Sequence, residues 1–275
     1  GLGGTAIAEV VIESTSDLDA LAPKLEKLGG TPVLLGRGSN LLVKDGELGL
    51  VFVSPRAEAE PSVDETLVRA RAGVRLPVLL ARTAQAGLSG LEALSGIPGS
   101  VGGAVAMNAG SYGTWIDNRL KRLRLWTPDK GLFWKHASAC EFGYRHFSAL
   151  EDEAFCMVWE AEFQLERSEP GAVRAAMDET LARKRATQPI AARSAGCVFK
   201  NPEGDSAGRL LDAAGFKGRR LGDMAFSELH ANFLVNLRES GRGNSADALE
   251  LIDLARIAVE DMFGVTLELE VEVLP

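Results

Sequence analysis

The sequence predicts an α+β chain organised in three successive units. Three observations lead there: a short strand–helix–strand opening, a proline-flanked break near residues 55–61, and a capped amphipathic helix followed by an alternating strand at the end. In the first unit Val10 to Ile12 reads as a strand. Ser16 reads as the N-cap of a helix ending at Gly29-Gly30 with Pro23 inside it, and Val33 to Leu35 as the next strand. Leu41 to Val43 and Leu50 to Val53 read as strands around an Asp45-Gly46 turn. The run from Pro55 to Pro61 interrupts the pattern and opens a second unit. There the sequence predicts a helix near Leu76 to Gln85, a glycine-rich stretch from Gly87 to Gly113, and a hairpin around Thr127 to Gly131. A strand over Phe155 to Leu165 follows, then a helix from about Ala172 to Ala186 that stops before Pro189. The third unit closes on the clearest element, a helix capped by Ser245, with Leu249, Ile252, Val259 and Phe263 on one face and Gly264 as its C-terminal stop. Strict alternation from Thr266 to Val273 predicts a last strand, apolar at Leu267, Leu269, Val271 and Val273 and polar at Thr266, Glu268, Glu270 and Glu272.

Composition narrows the function. At 275 residues the chain is long enough to bury substantial cores. Its 38 acidic and 30 basic side chains leave a formal charge of -8, which disfavours a nucleic-acid-binding surface and points to a small partner, with a local basic pocket still open. Charges or glycines interrupt every apolar run before the roughly 18 residues of a membrane span, and no membrane insertion is expected. Gly1 to Ala6 lack a basic segment and a long apolar one, so the expected location is cytoplasmic. Cys140, Cys156 and Cys197 are scattered without CxxC spacing, and His136, His146 and His230 lack ligand spacing, so no metal site is expected.

Several segments have the composition of ligand sites. Gly36-Arg37-Gly38-Ser39-Asn40 follows a strand, and successive backbone N–H groups there could cradle anionic oxygens. With Leu41 where a dinucleotide fingerprint needs glycine, and no Gly-Lys-Ser/Thr after it, the standard phosphate motifs do not apply; a surface turn remains an equal reading. The stretch Ser95 to Gly110 is small and nearly uncharged, which suits backbone laid against a large flat or pyrophosphate-bearing ligand, where a mere turn would need only one or two glycines. Arg145 stands in a mostly apolar context that calls for an anionic partner, structural or bound. Cys197, after Gly196 at a strand start, could present a thiol to a pocket or simply fill a core. Glu270 sits in a carboxylate row that a solvated edge strand also explains, and His230 could equally be a satisfied core histidine.

Taken in order, these segments resemble the UDP-N-acetylenolpyruvoylglucosamine reductase family over nearly the whole chain. The resemblance rests on Gly3 to Ala6, Gly36 to Leu41, Ser95 to Gly113, Tyr144-Arg145, Ala195 to Pro202, Ala207 to Gly218 with Gly222-Asp223, His230 to Asn236, and Glu270-Val271. It implies a three-domain flavoenzyme with a two-domain FAD-binding fold of the vanillyl-alcohol-oxidase type and a C-terminal α+β domain. The implied boundaries are 1–55 and 56–187 for the two FAD-binding subdomains and 188–275 for the UDP-sugar domain, with a return of the last strand to the first subdomain left open.

The resemblance also implies the chemistry. NADPH reduces FAD and leaves; UDP-N-acetylglucosamine enolpyruvate then takes hydride at its terminal alkene carbon, and an acid protonates the adjacent carbon. Arg145 and Glu270 match the residues that orient the substrate carboxylate and steady the growing charge, and Cys197 matches the acid, which is usually serine. Flavin contacts are implied for Gly36, Arg37, Gly38, Ser39, Asn40, Leu41, Gly96, Pro98, Gly99, Ser100, Gly102, Gly103, Ala104, Asn108, Gly110 and Gly113. Substrate contacts are implied for Tyr144, Lys200, Asn201, Lys217, His230 and Asn232. The short interval from Arg145 to Arg183 resembles the family's shorter type, without a substrate-covering tyrosine loop, and the implied role is peptidoglycan precursor synthesis. Another FAD-dependent oxidoreductase or oxidase of the same flavin fold would keep both glycine stretches but would have no need of Gly196 to Pro202 or His230 to Phe233.

Overall fold

The computed structural model describes residues 2–150, 155–238 and 243–275. The chain divides into two compact units, one made of Ala6–Arg37 and Gly49–Ala182, the other of Gly1–Thr5, Gly38–Leu48 and Arg183–Pro275. Residues 38–48, from the middle of the first sequence segment, thus belong with the C-terminal part of the chain.

The larger unit begins with a three-stranded sheet in which Glu47–Pro55 lies between Thr5–Ile12 and Thr31–Leu34. Thr31–Leu34 runs parallel to Glu47–Pro55, Thr31 opposite Leu50 and Leu34 opposite Val53. Two helices, Thr15–Asp19 and Leu21–Leu28, link Thr5–Ile12 to Thr31–Leu34, and this corrects the single helix expected from Ser16. Ser14 is the N-cap: the Asp17 carboxylate accepts from the backbone N–H of Glu13 and of Ser14, both at 2.9 Å. Pro23 falls in the first turn of the second helix, where an N–H would have no partner within the helix, so it starts a helix instead of breaking one. Val10, Ile12, Leu18, Leu21, Val51 and Val53 close over Trp126 and Trp159 as the core of this part.

A second, five-stranded antiparallel sheet follows in the order Gly131–His136, Leu120–Thr127, Met157–Gln164, Leu67–Arg71 and Ser62–Asp64. Leu123, Leu125, Ala161, Phe163, Val68 and Ala70 alternate onto one face and bury against Leu76–Gln85 and Val101–Ala106. The helix Val101–Ala106 lies inside the glycine-rich stretch, whose helical turn the glycines hid. Ser100 caps it by accepting the Gly103 N–H at 3.4 Å, while the N–H groups of Val101 and Gly102 donate to the carbonyls of Val74 and Ala72 at 2.8 and 2.9 Å.

The smaller unit is a four-stranded antiparallel sheet in the order Ser194–Cys197, Phe233–Asn236, Met224–Phe226 and Arg220–Leu221, packed with Ala207–Ala213 and Ser245–Phe263. The N-cap of the long helix is Asn244, whose Oδ1 accepts the Ala246 N–H at 2.8 Å, and not Ser245. Ser245 is instead paired with Asp45: its hydroxyl donates to the Asp45 carboxylate and accepts the Asp45 N–H, at 2.8 and 2.9 Å. Gly264 ends the helix with φ +66.

The expected strand from Thr266 to Val273 is not continuous. Leu269 forms one bridge with Phe199, and only Glu272–Leu274 is a strand, parallel to Leu41–Val43. The segment changes partners at Glu270, so alternation persists without a ladder. Among the described residues no helix is long and apolar enough to cross a membrane.

Candidate functional site

Cys197 and Glu270 lie on neighbouring segments of the smaller unit. The Ser194–Cys197 strand pairs Ser194 with Val235 but Cys197 with Phe233, so it carries one extra residue opposite its partner. Gly196 supplies that bulge with φ +81, and an added Cβ there would meet nothing within 4 Å, so backbone conformation is what demands glycine. A bulge re-aims the side chains beyond it, here Cys197. The segment then runs between two supports. On one side, Val198 N–H donates to the Asn232 carbonyl at 2.8 Å, and the Asn232 carboxamide bonds both the N–H and the carbonyl of Phe199, at 2.9 and 2.8 Å. On the other, the Glu270 N–H donates to the Val198 carbonyl at 2.8 Å and the Lys200 N–H to the Glu268 carbonyl at 2.8 Å. One peptide unit therefore connects the thiol-bearing strand to the backbone of Glu270. Sequence reasoning missed this role of Asn232, which is only 1% exposed and whose carboxamide is committed to Phe199.

The loop Gly38 to Leu41 is tied to the same place. Asn40 Nδ2 donates to the Glu270 carbonyl at 3.0 Å, and the Glu272 N–H donates to the Asn40 carbonyl at 3.0 Å. Gly38, Leu41, Ser194, Gly196, Asn236 and Val271 line a cavity of about 150 Å³, and Cys197 and Glu270 fall outside its lining.

In the larger unit the two glycine stretches meet. A Cβ on Gly36 would stand 3.1 Å from Ser100 Oγ and 3.8 Å from Gly103 Cα. Gly36, Ser100, Gly102, Gly103 and Ala106 floor a cavity of about 310 Å³ walled by Leu34, Leu35, Phe147, Leu150, Met157 and Val158. Its mostly apolar wall suits a planar heteroaromatic group. At about 310 Å³ the cavity lies at the lower end of the roughly 300–1,000 Å³ that small-ligand sites span. The wall residues Phe147, Met157 and Val158 lie on strands that carry no motif, which is why the sequence did not flag them. Of the other expected flavin residues, Arg37 ion-pairs with Glu58, Ala104 packs into the core, and Gly96, Gly99 and Gly113 occupy turns at φ +80, +116 and +79. Pro98 is exposed.

Arg145 is the second residue of the two-residue turn joining Glu141–Gly143 to His146–Ser148, with Gly143 opposite His146. Its φ is +56, uncommon for a long side chain. Its guanidinium lies 5.3 Å from the Tyr144 ring centroid and donates to the Gly110 carbonyl at 3.4 Å.

His230 is half-buried. Burial pushes its pKa down, with nearby Lys217 adding to the effect, and its Nδ1 accepts the Asn232 N–H at 3.2 Å, which leaves a neutral ring presenting Nε2–H. Lys200 reaches Glu268 at 3.3 Å, Lys217 reaches Asp212 at 3.1 Å, and Asn201 Oδ1 accepts the Ala207 N–H at 3.1 Å.

Comparison with known proteins decides the family. A family model described as the UDP-N-acetylenolpyruvoylglucosamine reductase C-terminal domain matches residues 188–274, and one described as an FAD binding domain matches residues 6–134. The UDP-N-acetylenolpyruvoylglucosamine reductase of Oleidesulfovibrio alaskensis is 52% identical, with 100% of this chain and 93% of that protein aligned. The chain belongs to this reductase family. The family's member from Nitratidesulfovibrio vulgaris is 48% identical over 99% of this chain and 93% of its own length. The crystal structure of the reductase from Thermus caldophilus superposes with a TM-score of 0.80 at 33% identity, covering 97% of this chain and 92% of that one. The α+β architecture is thus that of a family whose relatives match this chain along nearly its entire length.

Proposed function

We propose that this chain reduces UDP-N-acetylglucosamine enolpyruvate to UDP-N-acetylmuramate, using FAD as cofactor and NADPH as hydride donor. The single observation that carries the reading is the 52% identity to a UDP-N-acetylenolpyruvoylglucosamine reductase along the whole chain. Bound FAD supplies the relay of hydride from NADPH to the terminal alkene carbon. Gly36 to Leu41 and Gly96 to Gly113 would hold it, with Asn40 and Asn108 fastening the backbone around it. Subdomains 1–55 and 56–187 serve the flavin in this reading, and 188–275 serves the UDP-sugar.

The chain's own residues handle charge and the proton. Negative charge grows next to the substrate carboxylate as hydride arrives, and a fixed cation at Arg145 steadies that state more than the ground state. Glu270 orients the same end of the substrate. Cys197 gives its thiol proton to the carbon bearing the carboxylate, becomes thiolate, and regains a proton from water. A thiol with an unperturbed pKa of about 8.5 is a better donor than an aliphatic hydroxyl, so cysteine can stand where the family usually has serine. Tyr144, Lys200, Asn201, Lys217, His230 and Asn232 serve the UDP-sugar, the lysines by charge, His230 by its Nε2–H, and Asn232 through the strand it holds. The reaction belongs to peptidoglycan precursor synthesis in the cytoplasm, upstream of cell-wall growth, cell shape and division.

The test is NADPH oxidation by purified yellow protein with and without the enolpyruvyl sugar, with the product weighed by mass spectrometry. Stoichiometric UDP-N-acetylmuramate supports the reading. Equal NADPH and oxygen consumption with the sugar untouched would instead identify an oxidase of the same flavin fold.

A further inference from the structure

The turn that carries Arg145 cannot hold itself. A non-glycine residue at positive φ carries backbone strain, so contacts from elsewhere must fix the conformation. Within the hairpin, Phe142 and Phe147 stack with centroids 5.0 Å apart. Further support comes from two residues of the second glycine stretch, Asn108 and Gly110. Asn108 Nδ2 donates to the Gly143 carbonyl at 3.1 Å, holding the backbone just before the turn, and the Gly110 carbonyl accepts from Arg145 Nη1 at 3.4 Å, holding the side chain.

Asn108 is suited to this in three separate ways. It is 3% exposed, so its carboxamide must find partners inside the protein. It adopts φ +37, which asparagine tolerates better than most residues. Its carboxamide works at both ends, since Oδ1 accepts the Asp117 N–H at 3.3 Å while Nδ2 serves Gly143. The backbone is anchored as well, with the Asn108 N–H donating to Val105 at 2.9 Å and the Ala109 N–H to Ala104 at 2.7 Å, both on the short helix.

From this arrangement we infer that Asn108 is a positioning residue for Arg145: its carboxamide sets the left-handed turn, and the carbonyl two residues on receives the guanidinium. The stretch expected to hold flavin would then also aim the cation that serves the substrate carboxylate. The inference rests on the reading of Arg145 as that cation.

Asn108→Asp keeps shape and tolerance of positive φ but turns the donor facing Gly143 into an acceptor. Asn108→Gly keeps φ and removes both bonds. The experiment is stopped-flow absorbance of FAD-loaded parent, Asn108→Asp, Asn108→Gly, Arg145→Ala and the Arg145→Ala/Asn108→Asp double variant. Flavin reduction by NADPH and reoxidation by UDP-N-acetylglucosamine enolpyruvate are followed separately. Asn108→Asp should slow reoxidation about tenfold or more beyond any change in reduction, and within the Arg145→Ala background should add less than about twofold. Asn108→Gly repeats the comparison if the aspartate variant does not fold. An equal slowing of reoxidation with and without Arg145, or a parallel loss of flavin and both half-reactions, overturns the inference. Parental reoxidation in Arg145→Ala alone would instead refute the underlying role of Arg145.

Discussion

Asn40 and Glu270 are joined by a hydrogen bond from the Asn40 carboxamide to the Glu270 carbonyl, 3.0 Å long and 230 residues apart in sequence. The first glycine motif and the last carboxylate candidate are thereby fixed to one another within one unit. Asn40→Asp would set an acceptor against that carbonyl. Leaving a buried acceptor unpaired costs about 1–3 kcal/mol, and this bond is part-buried, so the loss should fall toward the lower end, about 1 kcal/mol. The melting temperature should drop by roughly 2–4 °C per kcal/mol lost, and turnover should fall with it. An unchanged melting curve and unchanged turnover would mean that the bond does not hold Glu270.

Gly196 tests the bulge. Because φ is +81 and an added Cβ meets nothing within 4 Å, Gly196→Ala should act through backbone strain alone, about 1–2 kcal/mol. Relief of that strain would straighten the strand and turn Cys197 away. The expected result is a modest loss in chemical-denaturation midpoint with a larger loss in the oxidative half-reaction. A loss of stability with full turnover would separate the bulge from the chemistry.

Much of this was legible in the sequence, and the failures have physical causes. Leu76–Gln85, Leu41–Val43 and the Thr127 to Gly131 hairpin follow directly from apolar periodicity and turn residues, which are local. Ser14, Thr15 and Ser16 all suit an N-cap, and the decisive cue was Asp17 three residues after Ser14. Alternation over 266–273 correctly separated apolar from polar positions, yet it is silent on partners, and this segment has two. The closeness of Gly36 to Ser100 and the wall made by Phe147, Leu150, Met157 and Val158 bring distant residues together, which no local pattern encodes. The bulge at Gly196 left one cue, a glycine directly before the cysteine.

His230 gives a pH prediction with a definite sign. Burial holds its pKa below the ordinary value, so the folded state prefers the neutral ring. The associated stability is present above the unfolded-state pKa, about 6.5, and is lost as pH falls through the lower folded-state value. Urea midpoints measured from about pH 7.5 down to about pH 5 should therefore decline more steeply for the parent than for His230→Gln. Identical slopes would show that protonation of His230 is not opposed by the fold.

The account turns on Cys197 as proton donor, and the most direct measurement is the rate of reoxidation of NADPH-reduced, FAD-loaded Cys197→Ala by UDP-N-acetylglucosamine enolpyruvate, with Cys197→Ser alongside. The thiol reading predicts that the alanine variant is reduced by NADPH at near the parental rate and reoxidised about a hundredfold or more slowly, while serine recovers much of the loss. Reoxidation of the alanine variant at the parental rate would contradict it and assign the proton to another donor.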